Sequence, residues 1–387
     1  MLQIDQLKTR VLIVSRSEPN PYHGSTMHME DLIRCLKSHG CEVHYLALCA
    51  PSRVELSRSS VDTAYFPEAG EFVPGPFDAL TQDGEDRAVQ KICRKILPAV
   101  VIADYSWMGG LYDGAYFREN PAVRKIIFVH DLRVRIMPSY VKMGLLKSED
   151  NPWTDALEGR LLAKADVLLT LNEEDKRTAA RLAPKVRVLK MGMSVTPRYV
   201  DPAATVPGRC IYVASNLSEN LFAVMWLLQH VWPRVLAADR SASLIICGSI
   251  CDQIRMLIDA GGGVLGDLDA LNVGIEGRKD DLHPYYASAE IALVPHWMMG
   301  GIKIKHLEAI ASGLAVVCTP AGADGLPDAI GYSALEAEMP PEFADHIIRL
   351  MREGEVLAGL RRNSRDLALK LTPDAVYREV IDYLQAM

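Results

Sequence analysis

The sequence lacks several features, and each absence narrows what the protein can be. Its eight cysteines (Cys35, Cys41, Cys49, Cys93, Cys210, Cys247, Cys251 and Cys318) include no C-x-x-C pair. Cys247 and Cys251 are four apart, but no histidine or further cysteine completes a zinc set. Several lie in apolar runs such as LIICG and AVVCT, which suits small buried hydrophobes in a reducing compartment. No apolar run approaches the roughly 20 residues that span a bilayer. Residues 1–10 are polar and mixed in charge, unlike a secretory leader, so a cytoplasmic location without a membrane span is expected. Positive charge is not in excess either. With 42 Lys and Arg against 49 Asp and Glu, the net charge is −7, which disfavours nucleic acid as a partner.

What is present is a repeated grammar. The chain has 387 residues, 49% hydrophobic and 24% charged, which suits two globular domains of under 200 residues each. An apolar, β-branched run is followed by a polar turn and then by a segment of helical period. Residues 11–15 (VLIVS) read as a buried strand, and 27–38 as a helix with Met27, Leu32, Cys35 and Leu36 on its apolar face. Further strands are expected at 43–48, 99–103, 126–129, 167–171 and 186–189. Residues 191–207, with three prolines and little periodicity, read as a linker. The grammar then restarts, with strands at 210–214, 243–247, 273–276, 291–294 and 315–318, helices between them, and a mostly helical end at 341–387. Continuous apolar strands separated by helices predict an α/β chain with parallel sheets covered on both faces. Ligands of such sheets sit outside the carboxyl ends of the strands, which singles out loops 16–26, 104–110, 130–140 and 172–176.

The richest stretch is 294–326, VPHWMMGGIKIKHLEAIASGLAVVCTPAGADGL. Gly300 and Gly301 open a helix that carries Lys303, Lys305 and Glu308. A glycine-flanked helix N-terminus offers free N–H groups and a partial positive charge, which suit a diphosphate. Lysines in a first turn invert the usual preference for acids there, and such inversions gather at functional sites. On spacing alone two readings stay open: the lysines could extend into solvent, and Glu308 could be an ordinary i, i+3 partner of Lys305. The glycine-rich 261–266 reads as a turn. The D-x-D at 267–269 follows that turn instead of an apolar strand, so no metal site is expected there.

The stretch 295–317 resembles the donor-binding signature of the family 4 glycosyltransferases, roughly P-x(4)-G-G-x-[RK]-x-K-x-L-E-A-x-A-x-G-x-P-V-V. Residues 211–233 resemble the opening of that family's second domain, and 277–289 its base-binding turn. FVHDL at 128–132 and residues 158–172 resemble its first domain. The resemblance covers nearly the whole chain and is strongest over 210–326. It implies the GT-B fold, two Rossmann-like domains whose parallel sheets face a central cleft. Residues 1–198 would bind the acceptor, with a C-terminal helix at 374–387 crossing back to them, and 199–373 would bind the donor. It implies a hexosyl-type transferase that moves a sugar from a nucleotide sugar with retention of configuration. No metal or other cofactor would be needed, because the nucleotide sugar is a co-substrate. The acceptor would be a carbohydrate, glycolipid or small molecule, with peripheral membrane contact at most.

The resemblance also implies the site. The donor would be met by Gly24, Ser215, Asn216, Arg278, Gly300, Gly301, Lys303, Lys305 and Glu308. His130 would join Lys303 and Lys305 in catalysis. Tyr105, Trp107, Asp131 and Trp153 would meet the acceptor, although ordinary packing is the competing role for the three aromatics. The sequence departs from the family pattern in three places. Gly300 stands where many members carry the first acid of E-x7-E, the 215–220 loop (SNLSEN) has no Arg or Lys, and the first loop has one glycine instead of a pair. A GT-B epimerase or phosphorylase, or an inactive nucleotide-sugar-binding module, are the rival readings.

Overall fold

The β-branched runs pair side by side in two parallel sheets, each within its own unit. The computed structural model describes residues 9–18, 24–49, 60–68, 80–261, 265 and 267–386. The chain divides into Met1–Met193 with Val376–Met387, and Ser194–Ala375. The first unit holds β1 Arg10–Ser15, β2 Glu42–Ala47, β3 Thr63–Tyr65, β4 Val100–Asp104, β5 Arg124–Val129, β6 Val167–Thr170 and β7 Arg187–Lys190. Their order is β3-β2-β1-β4-β5-β6-β7. Val11 pairs with both Val43 and Val100, so β1 is central, and Val11, Leu12, Ile13 and Val14 are fully buried. The second unit holds β8 Arg209–Val213, β9 Ser243–Cys247, β10 Val273–Gly277, β11 Ile291–Val294, β12 Ala315–Cys318 and β13 Ala334–Glu336, in the order β10-β9-β8-β11-β12-β13. The edge strands β3 and β13 were not expected; at three residues each they are too short to show a pattern.

The helix Gly24–Ser38 buries Met29, Leu32, Ile33, Cys35 and Leu36, while Met27 is only half-buried. It also buries Thr26, His28, Glu30 and Asp31, a polar face that its apolar pattern did not show. Two of these have long-range partners. Ser60 N–H donates to Glu30 (3.2 Å), and the Tyr377 hydroxyl donates to Asp31. The last helix, Arg378–Gln385, is tied to the first unit by Glu379, which accepts from Lys176 Nζ (2.8 Å) and Lys190 N–H (3.0 Å). Gly192 permits this approach. Its φ is +68°, and a Cβ there would stand 2.6 Å from Val376.

In the second unit a continuous helical segment runs Ser218–Ala238. It passes through a π-turn at Leu227–Val231 just before Pro233, which has no N–H to close an ordinary turn. Its mean hydropathy reaches 1.3, long and apolar enough by length and composition to cross a membrane. Ala223, Val224, Leu227, Val231, Trp232 and Val235 on this segment are buried in the unit's core.

Among the described residues all eight cysteines are free thiols, seven of them buried, and burial pushes Cys35 up to about 12. Asp267 of the D-x-D accepts from Asp269 N–H (3.0 Å) and Ala270 N–H (3.1 Å), so its carboxylate closes an Asx-type turn. Most of the 261–266 turn lies outside the described residues.

Candidate functional site

Each sheet reverses its strand order once, between β1 and β4 and between β8 and β11. At such a switch point the loops leaving neighbouring strands part in opposite directions and open a crevice for a ligand. In the second unit the two loops are the one after β8, with Ser215, Asn216 and Asn220, and the one after β11, with His296 to Lys303.

Gly300 and Gly301 have φ of +101° and +64°, a conformation that disfavours any side chain. Gly300 N–H donates to Asp324 (2.5 Å), and a Cβ on Gly325 would come within 2.6 Å of Gly301 O, so the loop after β12 braces the glycine pair. Lys303 is the N-cap residue of the helix Ile304–Ala311, and its Nζ donates back to Gly300 O (2.6 Å). Lys305 is the second residue of that helix, half-buried. Its Nζ lies 4.6 Å above the Tyr212 ring and donates to Asn220 Oδ1 (2.9 Å). Neither lysine extends into solvent. Burial pulls the Lys305 ammonium down to about 7; Glu219 opposes this, Lys303 adds to it and Glu308 opposes it.

Glu308 accepts from the Tyr286 hydroxyl (2.9 Å), so its partner is this tyrosine and not only the i, i+3 lysine. Burial raises the Glu308 carboxyl, while Tyr286 and Lys305 act against the rise. Around the lysines stand residues that sequence reasoning missed: Tyr212, Asn220, Tyr286, Asp324 and His296. His296 is buried, its Nδ1 has no hydrogen-bond partner among the described residues, and burial followed by Lys303 and Lys305 pushes it well below the usual histidine range. It is neutral beside two lysines. Its position between the strand-ending Pro295 and the glycine pair was the available signal.

The remaining donor residues are more dispersed. Ser215 accepts from the Asn220 side chain (3.2 Å), and Asn216 N–H donates to Ser249 (3.0 Å). Both hold the loop through which Asn220 reaches Lys305. Arg278 is exposed just beyond β10. Gly24 begins the helix Gly24–Ser38 in the first unit, and residues 19–23 before it lie outside the described residues.

In the first unit His130 follows β5 and is 2% exposed. Its Nε2 is 2.6 Å from Asp104, the last residue of β4, and its Nδ1 is 3.3 Å from Nδ1 of His28. The carboxylate that orients His130 is therefore Asp104 and not its neighbour Asp131, whose buried Oδ1 has no hydrogen-bond partner among the described residues. Of the two roles open to the three aromatics, acceptor contact and packing, the structure shows packing. Tyr105, Trp107 and Trp153 are 6%, 1% and 7% exposed. Tyr105 stacks on Trp107 (4.0 Å) and on His130 (4.3 Å), Arg133 covers the Trp107 ring (4.3 Å), and Trp153 meets that ring edge-on (6.4 Å). Ring faces already covered are not open to a sugar. Beneath them the buried Glu158 accepts from Ser106 Oγ (2.6 Å) and from the first two N–H groups of the helix Arg133–Lys142, at 3.0 and 2.9 Å. That carboxylate fixes where the helix after His130 begins.

Two seven- and six-stranded parallel sheets with these switch points match known glycosyltransferase structures. The fold is GT-B. The chain is similar to sucrose-phosphate synthase from Thermosynechococcus elongatus (15% identity, 98% of this chain and 99% of that one, TM-score 0.76). It is similar to HepE from Anabaena, solved with UDP and glucose (12%, 98% and 100%, TM-score 0.70). It also resembles the pneumococcal O-GlcNAc transferase GtfA, solved with UDP and GlcNAc (9%, 98% and 99%, TM-score 0.71). Residues 208–353 match the family described as "Glycosyl transferases group 1". A curated relative, an uncharacterized 44.6 kDa protein in the cps region of Klebsiella pneumoniae, is 26% identical over 136 residues, about a third of each chain (34%). The group 1 match thus takes in every element of the second unit described above, from β8 to Asp324. In this GT-B chain, His28 and Asp104 remain the pair that sequence reasoning passed over. Asp104 ends an otherwise apolar strand (VVIAD), which was its one visible mark.

Proposed function

We propose that the chain is a glycosyltransferase that takes a nucleotide sugar as donor and transfers the sugar, with retention and without a metal, to an acceptor hydroxyl. The observation that carries this reading is the pair Lys303 and Lys305 at the switch point of the second sheet. A half-buried lysine whose ammonium is surrounded by an amide, an aromatic ring and a second lysine is costly to keep. It is explained by a strongly anionic ligand. A diphosphate seated there would meet the glycine-flanked N-terminus of the helix Ile304–Ala311 and two ammonium groups. As the glycosidic bond breaks, negative charge grows on the phosphate oxygen, and donors already in place stabilise that state more than the ground state. Glu308, which accepts from Tyr286, would accept from ribose or sugar hydroxyls. The first unit would bind the acceptor. Mass spectrometry of reactions with a panel of UDP-, GDP- and dTDP-sugars and candidate acceptors tests the activity. No sugar-bearing product from any donor would refute it. NMR of the anomeric linkage tests retention. Transfer is expected to persist in EDTA, and a complete, metal-reversible loss would refute metal independence.

The Lys305 environment gives a pH dependence. In the free protein this group titrates near 7. A bound diphosphate favours its charged form, so the bound-state value lies higher. Affinity is then full below pH 7 and falls as pH rises toward the bound-state value. Calorimetry is expected to show nucleoside diphosphate affinity falling about tenfold or more from pH 7 to 9. In Lys305→Arg, whose charge does not titrate, the profile should be flat over that range. Equal slopes in both proteins would remove Lys305 from the site.

A further inference from the structure

The loop after β8 carries no Arg or Lys, yet a side chain at its end holds a cation. Asn220, 5% exposed, lies in the first turn of the helical segment Ser218–Ala238. Its Nδ2 donates to Ser215 O (3.1 Å) and to Ser215 Oγ (3.2 Å), and its Oδ1 accepts from Lys305 Nζ (2.9 Å). Tyr212, fully buried in β8, donates its hydroxyl to Asn220 O (3.3 Å). Its ring lies 4.6 Å from the Lys305 ammonium, and its oxygen accepts from Nζ at 3.4 Å.

Counting donors and acceptors fixes the orientation. The amide cannot be flipped, because its NH2 group would then face an ammonium, donor against donor. Both Nδ2 hydrogens go to Ser215, so the amide plane is set by the loop and not by the lysine. An ammonium has three N–H donors. Asn220 Oδ1 takes one, and the Tyr212 oxygen, at a longer distance, takes a second. The third has no partner among the described residues. A lysine at the second position of a helix ordinarily reaches solvent. Here a residue 85 positions earlier turns it back to the switch point of the sheet, beside Lys303 and the glycine pair.

We infer that Asn220 is a positioning residue of the donor site: with Ser215 and Tyr212 it aims the remaining N–H of Lys305 at the leaving diphosphate. This rests on the glycosyl-transfer reading. The loop after β8 then acts on the phosphate through a lysine of the helix Ile304–Ala311, in place of a cation of its own. The choice of an amide matters. A neutral acceptor favours the ammonium over the amine without cancelling its charge, so that charge stays available to the phosphate. A carboxylate in the same place would hold the ammonium harder and neutralise it. The other titratable groups around Lys305 are Glu219 on the same helical segment, Lys303 and Glu308 on its own helix, Tyr286 bonded to Glu308, and His296 on the loop after β11.

The experiment follows Lys305 in the full chain by NMR titration of isotope-labelled lysine, and then measures calorimetric binding of UDP, GDP and dTDP across the same pH range. In the wild type the ammonium titrates near 7. Asn220→Asp sets an opposite charge against Nζ, so the titration should move up by about one pH unit or more. The fall of nucleoside diphosphate affinity with pH should move up with it, while kcat at pH 7 drops about tenfold or more. Asn220→Ala removes the acceptor, so the titration should move down and the fall should begin at lower pH. Opposite shifts in the two variants are the expected result. A residue that only packs would move both the same way or neither, and either outcome overturns the inference. A shifted titration with an unshifted affinity profile overturns it too, because Lys305 would then not meet the phosphate. Should Asn220→Ala fail to fold, the nearly isosteric Asn220→Asp decides the point against the wild type, since damage alone would not raise the titration. A wild-type chain that binds none of the three nucleotides ends the glycosyl-transfer reading itself, and the inference with it.

Discussion

Replacing Lys303 or Lys305 by alanine is expected to slow sugar transfer by about 10²-fold or more. Each lysine would make a charge-assisted contact with the leaving diphosphate, worth roughly 1.5–3 kcal/mol, and that contact strengthens as charge develops. The loss should fall mainly on kcat. Glu308→Gln should behave differently, because an amide still accepts a hydrogen bond from a sugar hydroxyl but has lost its charge. Its effect is expected mainly as a raised KM. The Tyr286 hydroxyl, now 2.9 Å from Glu308, would keep an acceptor in the glutamine variant, so folding should be little affected. Solvated surface lysines would change stability by less than about 0.5 kcal/mol and leave turnover alone. Steady-state kinetics on the three single variants, with calorimetric binding of the nucleoside diphosphate, separates the two cases. Near-wild-type turnover in both lysine variants would end the assignment of this helix to the donor.

Gly248→Ala should destabilise the second unit by about 3 kcal/mol or more, as read from the midpoint of urea unfolding. Gly248 directly follows β9 at φ +104°, and a Cβ there would lie 2.1 Å from Ala214 O. No side-chain rotation relieves that overlap, because the atom it meets is backbone. The chain at Ala214 leads directly into the loop of Ser215, Asn216 and Asn220, and Asn216 is bonded to Ser249 beside the glycine. Any shift that accommodates the methyl therefore also moves the amide that holds Lys305. Gly261→Ala is the matched control. Its φ is +73°, but nothing lies within 4 Å of the added Cβ, so only the backbone penalty of about 1 kcal/mol applies. Equal losses in the two variants would show that the close approach at Gly248 costs nothing.

Much of the fold was legible because its signals are local. A run such as VLIVS must be covered on both faces, and a helix between two such runs makes the next strand parallel. The strands at 243–247, 291–294 and 315–318 were placed to the residue. The three-residue edges β3 and β13 were not. In the site, the glycine pair and the Lys–Lys–Glu helix were visible for the same local reason: a residue type in the wrong place for an ordinary helix.

The sequence by itself determined the two α/β units, the helix Ile304–Ala311 as an anion-binding candidate, and His130 as a strand-end histidine. Only the tertiary structure decided what those side chains face. It joined Lys305 to Asn220 across 85 residues and held its ammonium where burial pulls it down to about 7. It chose Asp104, 26 residues from His130, over the adjacent Asp131, and brought in His28 from 102 residues away. It packed Tyr105, Trp107 and Trp153 against one another and against Arg133, deciding between the two roles their sequence had left open. The reason is common to all of these. Periodicity and turn chemistry act over a few residues, whereas burial, ion pairing and tautomer are set by groups that meet only after the sheets have formed.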